Sequence, residues 1–211
     1  MKALIYLLLF CATAAQAQTK LPPADAKAVR LFMTARMPEF NVRTATLREA
    51  MAAMRKEWTR QFPQEKFPVA IFKGAESMEL GGSPMRLTMA IADNTFFQAL
   101  KRIAGAWLCG IETGNAPGAL FILKHSEWDD QGAGEFPITP GLLAALGLQR
   151  DAPPSQVQDA LARAGIRWKH GMCGVFLNGH LVVKGSQDII ENVGCIYLMI
   201  DAGMKIEEMK F

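Results

Sequence analysis

The sequence has little net charge, few histidines and tyrosines, and no long hydrophobic run. Its 23 lysines and arginines stand against 20 acidic residues, which gives a formal charge of +3. No run of basic residues concentrates that charge, so the basic footprint of a nucleic-acid-binding protein is absent. Hydrophobic residues make up 50% of the chain and charged residues 20%, which excludes a disordered chain and a collagen. The 211 residues suffice for one domain or two small ones.

Residues 1–17 have the organisation of a signal peptide. Lys2 precedes a short apolar run ending at Phe10, and Ala15-Gln16-Ala17 has the small-residue pattern of a cleavage site. The run is far shorter than the roughly 20 residues that a membrane-spanning helix needs. We therefore expect cleavage before Gln18, export, and a mature chain with no transmembrane segment. A lipid anchor on Cys11 is the alternative, although lipidation signals place a small residue, not a large Phe, before the cysteine.

Export would leave three cysteines in a compartment where disulfides form, namely Cys109, Cys173 and Cys195. We predict a disulfide between Cys173 and Cys195, because both lie in the same C-terminal segment. Cys109 follows apolar residues, so we predict a buried free thiol there. Cysteine spacing does not determine connectivity, and three reduced thiols remain the alternative.

Helix caps and apolar periodicity predict an α+β fold of short helices and small mixed sheets. Three capping boxes mark helix starts: Thr46 with Glu49, Thr95 with Gln98, and Ser155 with Gln158. Asn178-Gly179 between two apolar runs predicts a tight hairpin. We predict helices near residues 27–37, 46–61, 95–107, 139–146, 155–165 and 186–200, and strands near 40–43, 69–72, 87–91, 111–113, 119–123, 173–177 and 180–183.

Polar segments rich in glycine and proline divide the chain. We predict a leader with a short helix (residues 18–38), a first domain (39–124), a linker with a short helix (125–154), a helix–hairpin–helix module (155–203) and a tail (204–211). The first domain and the later module are expected to fold on their own.

Three phrases of the first domain resemble the short N-terminal (STN) domain shared by secretins and TonB-dependent receptors. They are PEFNVRTATLREAMAAM, MRLTMAIADNTFFQALKRIAG and IETGNAPGALFIL, and together they cover about residues 40–123. The resemblance implies two helices packed with small mixed sheets. This sequence departs from the pattern in a longer loop, Lys73 to Pro84, and in an extension from Trp58 to Phe67.

The later module is similar to a helix–hairpin–helix unit found beside such domains in bacterial envelope proteins. The phrases ALARAGIRW, GVFLNGHLVVKGS and QDIIENV, within about residues 155–201, carry this similarity.

Side chains that could carry chemistry are few. His170, Cys173, His180 and Cys195 could be drawn as a zinc site, but they contain only one close pair. The segment with His125, Glu127, Asp129 and Asp130 lacks the alternating oxygen ligands of a calcium loop. No hydrolase, metalloprotease, phosphate-loop or dinucleotide motif is present. We therefore predict no catalytic, cofactor-binding or metal-binding residue.

The resemblance implies a non-enzymatic protein-interaction module of a Gram-negative cell envelope, in the periplasm or at the periphery of the outer membrane. It would bind a protein partner in a secretion, type IV pilus or TonB-type receptor assembly, by adding a strand to an exposed sheet edge. Two alternatives stay open: a secreted thiol-redox enzyme or hydrolase, and a secreted effector that acts outside the cell.

Overall fold

The computed structural model describes residues 21–71, 75, 79–80, 83–116, 119–125 and 132–209. The predicted signal peptide and the acidic residues Glu127, Asp129 and Asp130 lie outside these residues. Helices and short strands follow one another without regular crossovers between parallel strands, so the predicted α+β class is confirmed.

Three helices and seven strands are described before residue 126. They are α1 (Pro23–Thr34), β1 (Arg36–Ala45), α2 (Leu47–Gln61), β2 (Val69–Ile71), β3 (Glu79–Leu80), β4 (Ser83–Pro84), β5 (Leu87–Thr95), α3 (Phe96–Ala106), β6 (Cys109–Ala116) and β7 (Ala119–His125).

The remaining described residues form three strands, three α-helices and a short 3₁₀ turn. They are β8 (Gly132–Pro137), α4 (Pro140–Leu146), α5 (Pro154–Arg163), β9 (Cys173–Leu177), β10 (His180–Gly185), α6 (Gln187–Asp201) and the turn Ile206–Glu208.

The described strands form four small sheets. β1 pairs antiparallel with β5, and the two-residue strands β3 and β4 pair with each other. In the second sheet β7 lies in the centre, antiparallel to β6 and parallel to β2. In the third, β10 lies between β8 and β9. Helix α3 packs against both β5 and β6, so it connects the first sheet to the second.

Local side-chain caps explain where the central helices begin. The capping boxes of Thr46 with Glu49 and of Thr95 with Gln98 are both formed, which confirms two of the three predicted boxes. The third prediction, at Ser155, is wrong, because α5 already begins at Pro154 and has no side-chain cap. Proline at the first helical position has no N–H to satisfy, so this helix can begin without a capping side chain.

The hairpin between β9 and β10 turns at Asn178-Gly179, as predicted. Both residues have positive φ, 50° and 80°, which is the requirement of the tight hairpin turn. Leu177, just before the turn, is a large hydrophobic residue that is 54% exposed.

Helix α1 belongs to the core, although the sequence analysis treated residues 18–38 as a leader. Its Phe32 is fully buried, and its ring centroid lies 5.5 Å from that of Trp58 on α2 and 5.2 Å from that of Phe121 on β7. Phe96 at the start of α3 completes the cluster, 5.2 Å from Trp58. Such aromatic pairs contribute about 0.5–1.5 kcal/mol each beyond their burial. Helix α1 therefore stabilises the fold as part of its core.

The segment predicted as a linker supplies strand β8, which the sequence analysis did not foresee. β8 pairs with β10 along its whole length, from Gly132 opposite Gly185 to Pro137 opposite His180. Helix α6 covers it: Tyr197 donates a hydrogen bond to the carbonyl oxygen of Pro137 (2.9 Å). The glycines that suggested a flexible linker allow α6 to pack closely on β8. A Cβ on Gly134 would lie only 2.8 Å from an Ile190 methyl group.

The predicted tail is also packed. Met204 and Met209 are 5% and 4% exposed, and they belong to the same cluster of buried residues as the aromatic rings. None of the helices in the described part of the chain is long and apolar enough to span a membrane.

The cap of α2 makes a stability prediction. Thr46→Ala removes the hydroxyl that accepts a hydrogen bond from the Glu49 N–H (3.3 Å). We therefore expect the free energy of unfolding to fall by about 0.5–2 kcal/mol. Urea denaturation followed by circular dichroism measures this loss. Thr59→Ala on the exposed face of the same helix is the control, and an equal loss in both variants would contradict a capping role.

Candidate protein-interaction site

The three cysteines are separate thiols in the structure, so the disulfide predicted between Cys173 and Cys195 is not formed in it. Cys195 lies in the third turn of α6, as expected, but it is completely buried close to Lys101 on α3. Cys173 begins β9, the strand of its sheet that packs against α5. Helix α6, which carries Cys195, lies over β8 and β10 of that sheet.

Burial makes two of the thiols poor nucleophiles. It raises the pKa of Cys109 to about 11, with the Glu191 carboxylate adding to the shift, and that of Cys195 to about 12. Thiol–disulfide chemistry needs a thiolate with a lowered pKa and some exposure. Neither cysteine meets these requirements, so the redox alternative gains no support from them.

The residues considered for zinc do not come together. Cys195 is deep in the core, whereas His170 and His180 are exposed. Among the described residues, no three histidine, cysteine or carboxylate side chains are close enough to share a metal ion.

Helix α6 closes one edge of the sheet β2–β7–β6. The outer strand β6 presents backbone N–H groups, and the Ile111 N–H donates to Oε2 of Glu191 at 2.9 Å. Gln187, one turn earlier on α6, donates to the other carboxylate oxygen at 3.2 Å. Gly110 leaves the space that the carboxylate fills, since a Cβ there would overlap Oε1. A helix that covers an edge strand and accepts from its outward N–H blocks further pairing there.

This contact places a titratable group at a junction between the two predicted domains. Burial raises the pKa of Glu191, partly offset by the hydrogen bond from Ile111, and Asp188 and Glu112 raise it further. Burial also lowers the pKa of Lys101, whose Nζ donates to the Asn192 side chain at 2.9 Å. Helix α6 therefore binds the N-terminal sheet through several polar groups, in addition to the shared core.

The other edge of that sheet is strand β2, and no described strand pairs with its outer side. Val69 is only 3% exposed, whereas Ile71 is half-buried. β2 follows Pro68, whose carbonyl oxygen accepts from Leu120 and Phe121 of β7. Residues two apart in a strand direct their backbone groups to the same side, so Ala70 also faces β7. Val69 and Ile71 therefore direct their N–H and C=O groups away from the sheet, towards the position of a further strand.

A groove of about 360 Å³ lies between β2 and helix α2. Arginine side chains of α2 line it together with apolar residues of both elements: Arg48, Met51, Ala52, Arg55, Phe67, Val69, Ala70 and Ile71. The Arg55 guanidinium carbon lies 5.4 Å from the centre of the Phe67 ring, a cation–π contact. The groove thus places apolar side chains and arginines of α2 beside the outer strand of the sheet, and strand addition uses such an edge strand together with pockets for side chains.

Periodicity predicted the strand at 69–72 and the helix at 46–61, but it does not show that the two lie side by side. The groove between them was therefore not predicted. The spacing of Arg48, Ala52 and Arg55 by four and three residues puts them on one helix face, and this was the available signal.

A second cavity, of about 570 Å³, lies where α1, β5, α3 and the C-terminal turn meet. Its polar groups bond to one another: Arg36 pairs with Asp93, Thr95 with Gln98, and Glu208 accepts from the Lys205 N–H. Side chains already paired in this way offer less to a ligand than the groove beside β2.

The comparisons with known proteins give no relative. No protein family, curated protein or solved structure matches this chain.

The half-buried carboxyl of Glu191 predicts how stability depends on pH. Its pKa is raised in the folded state, so the unfolded chain loses this proton at lower pH than the folded protein does. Its contribution to stability is therefore complete below the unfolded pKa of about 4.3 and is lost as pH rises through the folded pKa. We expect Glu191→Gln to remove this pH-dependent loss. The free energy of unfolding of the variant should therefore rise relative to that of the wild type between pH 4 and pH 7.

Urea midpoints across that pH range, with Asp159→Asn as an exposed control, measure the gain. A difference between Glu191→Gln and wild type that does not change with pH would contradict the prediction. Glu191→Ala should cost about 1–3 kcal/mol throughout, because it leaves the Ile111 N–H without this acceptor.

The thiols make a further prediction. With iodoacetamide at pH 8 we expect slow modification of Cys109 and Cys195 and faster modification of half-buried Cys173. All three should react in urea without a reducing agent, as peptide masses will show. If Cys173 and Cys195 react only after reduction, the disulfide predicted from the sequence is correct and the free thiols are wrong.

Proposed function

We propose that this protein is a non-enzymatic interaction module of the bacterial cell envelope, which binds an extended segment of a partner protein as an additional strand on β2. The observation that carries the proposal is the outer side of β2, where no described strand pairs and Ile71 is half-buried, beside the groove between β2 and α2. Backbone hydrogen bonds would give affinity, and side chains entering the groove would give specificity.

The two edges of the sheet support β2 rather than β6 as the docking strand. At β6 the Ile111 N–H is occupied by Glu191, and α6 packs over the strand. At β2 the outward groups have no partner among the described residues. An incoming strand beside β2 would satisfy them at no cost to existing bonds.

The resemblance of residues 40–123 to the STN domain supports the cellular setting. It favours a place in a secretion, type IV pilus or TonB-type receptor assembly, in the periplasm or beside the outer membrane. The order of elements from β1 to β7, two helices interleaved with the strands of three small sheets, is compatible with that resemblance.

The test is cross-linking at the groove. A photo-cross-linking residue replaces Lys66, which is exposed next to Phe67, or Asp159, which is exposed on α5 as a remote control. In envelope extract we expect an adduct from position 66 and none from position 159.

Ile71→Pro removes one outward N–H and should weaken the adduct about tenfold, since one hydrogen bond with its steric fit is worth about 1.4 kcal/mol. Ala52→Trp fills the groove from an exposed helix position and serves where the proline variant does not fold. Both variants need a wild-type circular dichroism spectrum. Undiminished cross-linking in a folded variant, or no adduct at position 66, would overturn the proposal.

A further inference from the structure

The third sheet, β8–β10–β9, has its two neighbouring helices on one face. A Cβ on Gly174 of β9 would lie 3.1 Å from Leu161 of α5, and one on Gly134 of β8 would lie 2.8 Å from Ile190 of α6. Side chains alternate between the two faces of a strand. The residues that flank these glycines therefore direct their side chains to the opposite face, away from both helices. We call this the outer face.

The centre of the outer face is apolar. Leu177 of β9 is the one large hydrophobic residue that is exposed among the described residues, at 54%. Val175 precedes it by two positions on the same strand, and Val182 of β10 pairs with Val175. Both valines are half-buried. Contiguous apolar side chains on a sheet face without a covering helix are typical of a surface that associates with a protein.

Two opposite charges lie beside this apolar centre. Glu135 of β8 pairs with Val182 across the sheet, about 5 Å away, and Lys184 follows Val182 by two positions along β10, about 7 Å away. Both charged side chains are exposed, and neither forms an ion pair with a described residue. The acid and the base thus lie at similar distances from Val182, in two perpendicular directions.

This layout is complementary to a second copy of itself. A two-fold axis in the plane of the outer face, along the diagonal through Leu177 and Val182, crosses the two sheets at about 90°, which is one of the two common ways in which sheets pack. Lys184 of each copy then lies over Glu135 of the other, and the two Leu177 side chains meet on the axis. An axis along β10 or across it would instead place Lys184 or Glu135 over the same residue of the other copy.

We propose that this protein forms a symmetric dimer through the outer face, with the sheets of the two copies crossed and with two reciprocal pairs between Lys184 and Glu135. Three strands of five residues measure about 13 Å by 10 Å. The contact is therefore smaller than a standard interface, and the dimer is weak. Its surface lies on a different sheet from β2, so it does not depend on the strand addition proposed above.

The first experiment measures self-association. Sedimentation velocity is recorded from about 10 µM to about 1 mM protein, with a reducing agent so that Cys173 cannot cross-link two copies. We expect a dimer that increases with concentration. Leu177→Asp should weaken it at least about tenfold, because it places two carboxylates together on the axis. Leu177→Thr, which suits a strand, serves where the aspartate variant lacks a wild-type circular dichroism spectrum.

The second experiment reverses the charges. Glu135→Lys or Lys184→Glu alone should weaken the dimer at least about tenfold, since each turns two attractions into two repulsions. An equimolar mixture of the two variants should associate about as well as the wild type, because every lysine of one then meets a glutamate of the other. An ion pair within one chain cannot produce this recovery.

The control variants make the same charge changes at exposed positions away from the outer face. Asp159→Lys on α5 matches Glu135→Lys, and Lys56→Glu on α2 matches Lys184→Glu. Both should dimerise like the wild type. The differences between the charge variants and these controls should shrink in 0.5 M salt, where the screening length is only a few ångströms.

Four results would overturn the proposal. They are a wild-type protein that stays monomeric at every concentration, a dimer that persists in a folded Leu177 variant, single charge variants that dimerise like their controls, and a mixture that does not recover association. If the wild type is monomeric but binds phosphatidylglycerol vesicles, and Leu177→Asp abolishes this binding, the outer face is a lipid-binding surface and the dimer proposal is wrong.

Discussion

The backbone hydrogen bonds at the edges of the sheet β2–β7–β6 are the constraint on which the arrangement of this protein depends. A three-stranded sheet leaves two outer rows of N–H and C=O groups, and each row must find protein or water. At β6, Glu191 accepts the Ile111 N–H and α6 packs over the strand. At β2 the row faces a groove instead. The same sheet is therefore closed on one side by α6, whereas on the other side no described strand pairs with β2.

Placing a carboxylate against the outer side of β6 costs desolvation free energy, and this cost determines which groups must surround the carboxylate. A buried ionised carboxylate needs hydrogen bonds to offset its desolvation. Ile111 and Gln187 supply two of them, and Gly110 supplies the room, because any side chain there would meet the carboxylate. The raised pKa of Glu191 shows that burial outweighs these bonds. The junction between the two predicted domains is thus a specific polar contact within a shared core. The glycine content of the segment between them does not reveal this contact.

Features encoded by neighbouring residues were predictable from the sequence. The caps at Thr46 and Thr95 and the turn at Asn178-Gly179 depend on groups within three or four residues, and all three are present, whereas the box predicted at Ser155 is not formed. Features that depend on distant partners were not. Strand β8 has too many glycines to show strand periodicity and exists because β10 pairs with it. Helix α1 looks like a leader until Phe32 meets Trp58 and Phe121. The pairing of Cys173 with Cys195 was likewise predicted from nearness in sequence, whereas the structure holds them as separate thiols and packs the strand of Cys173 against α5.

A partner strand at β2, as proposed, would draw its affinity from backbone hydrogen bonds, and these accept any extended sequence. A formal charge of +3 over 211 residues produces no long-range attraction of consequence, so selection among partners would act only at contact distance. The groove beside β2 is lined by side chains of α2 as well as of β2. Helix α2 would therefore distinguish one partner strand from another, while β2 would supply the bonds common to all.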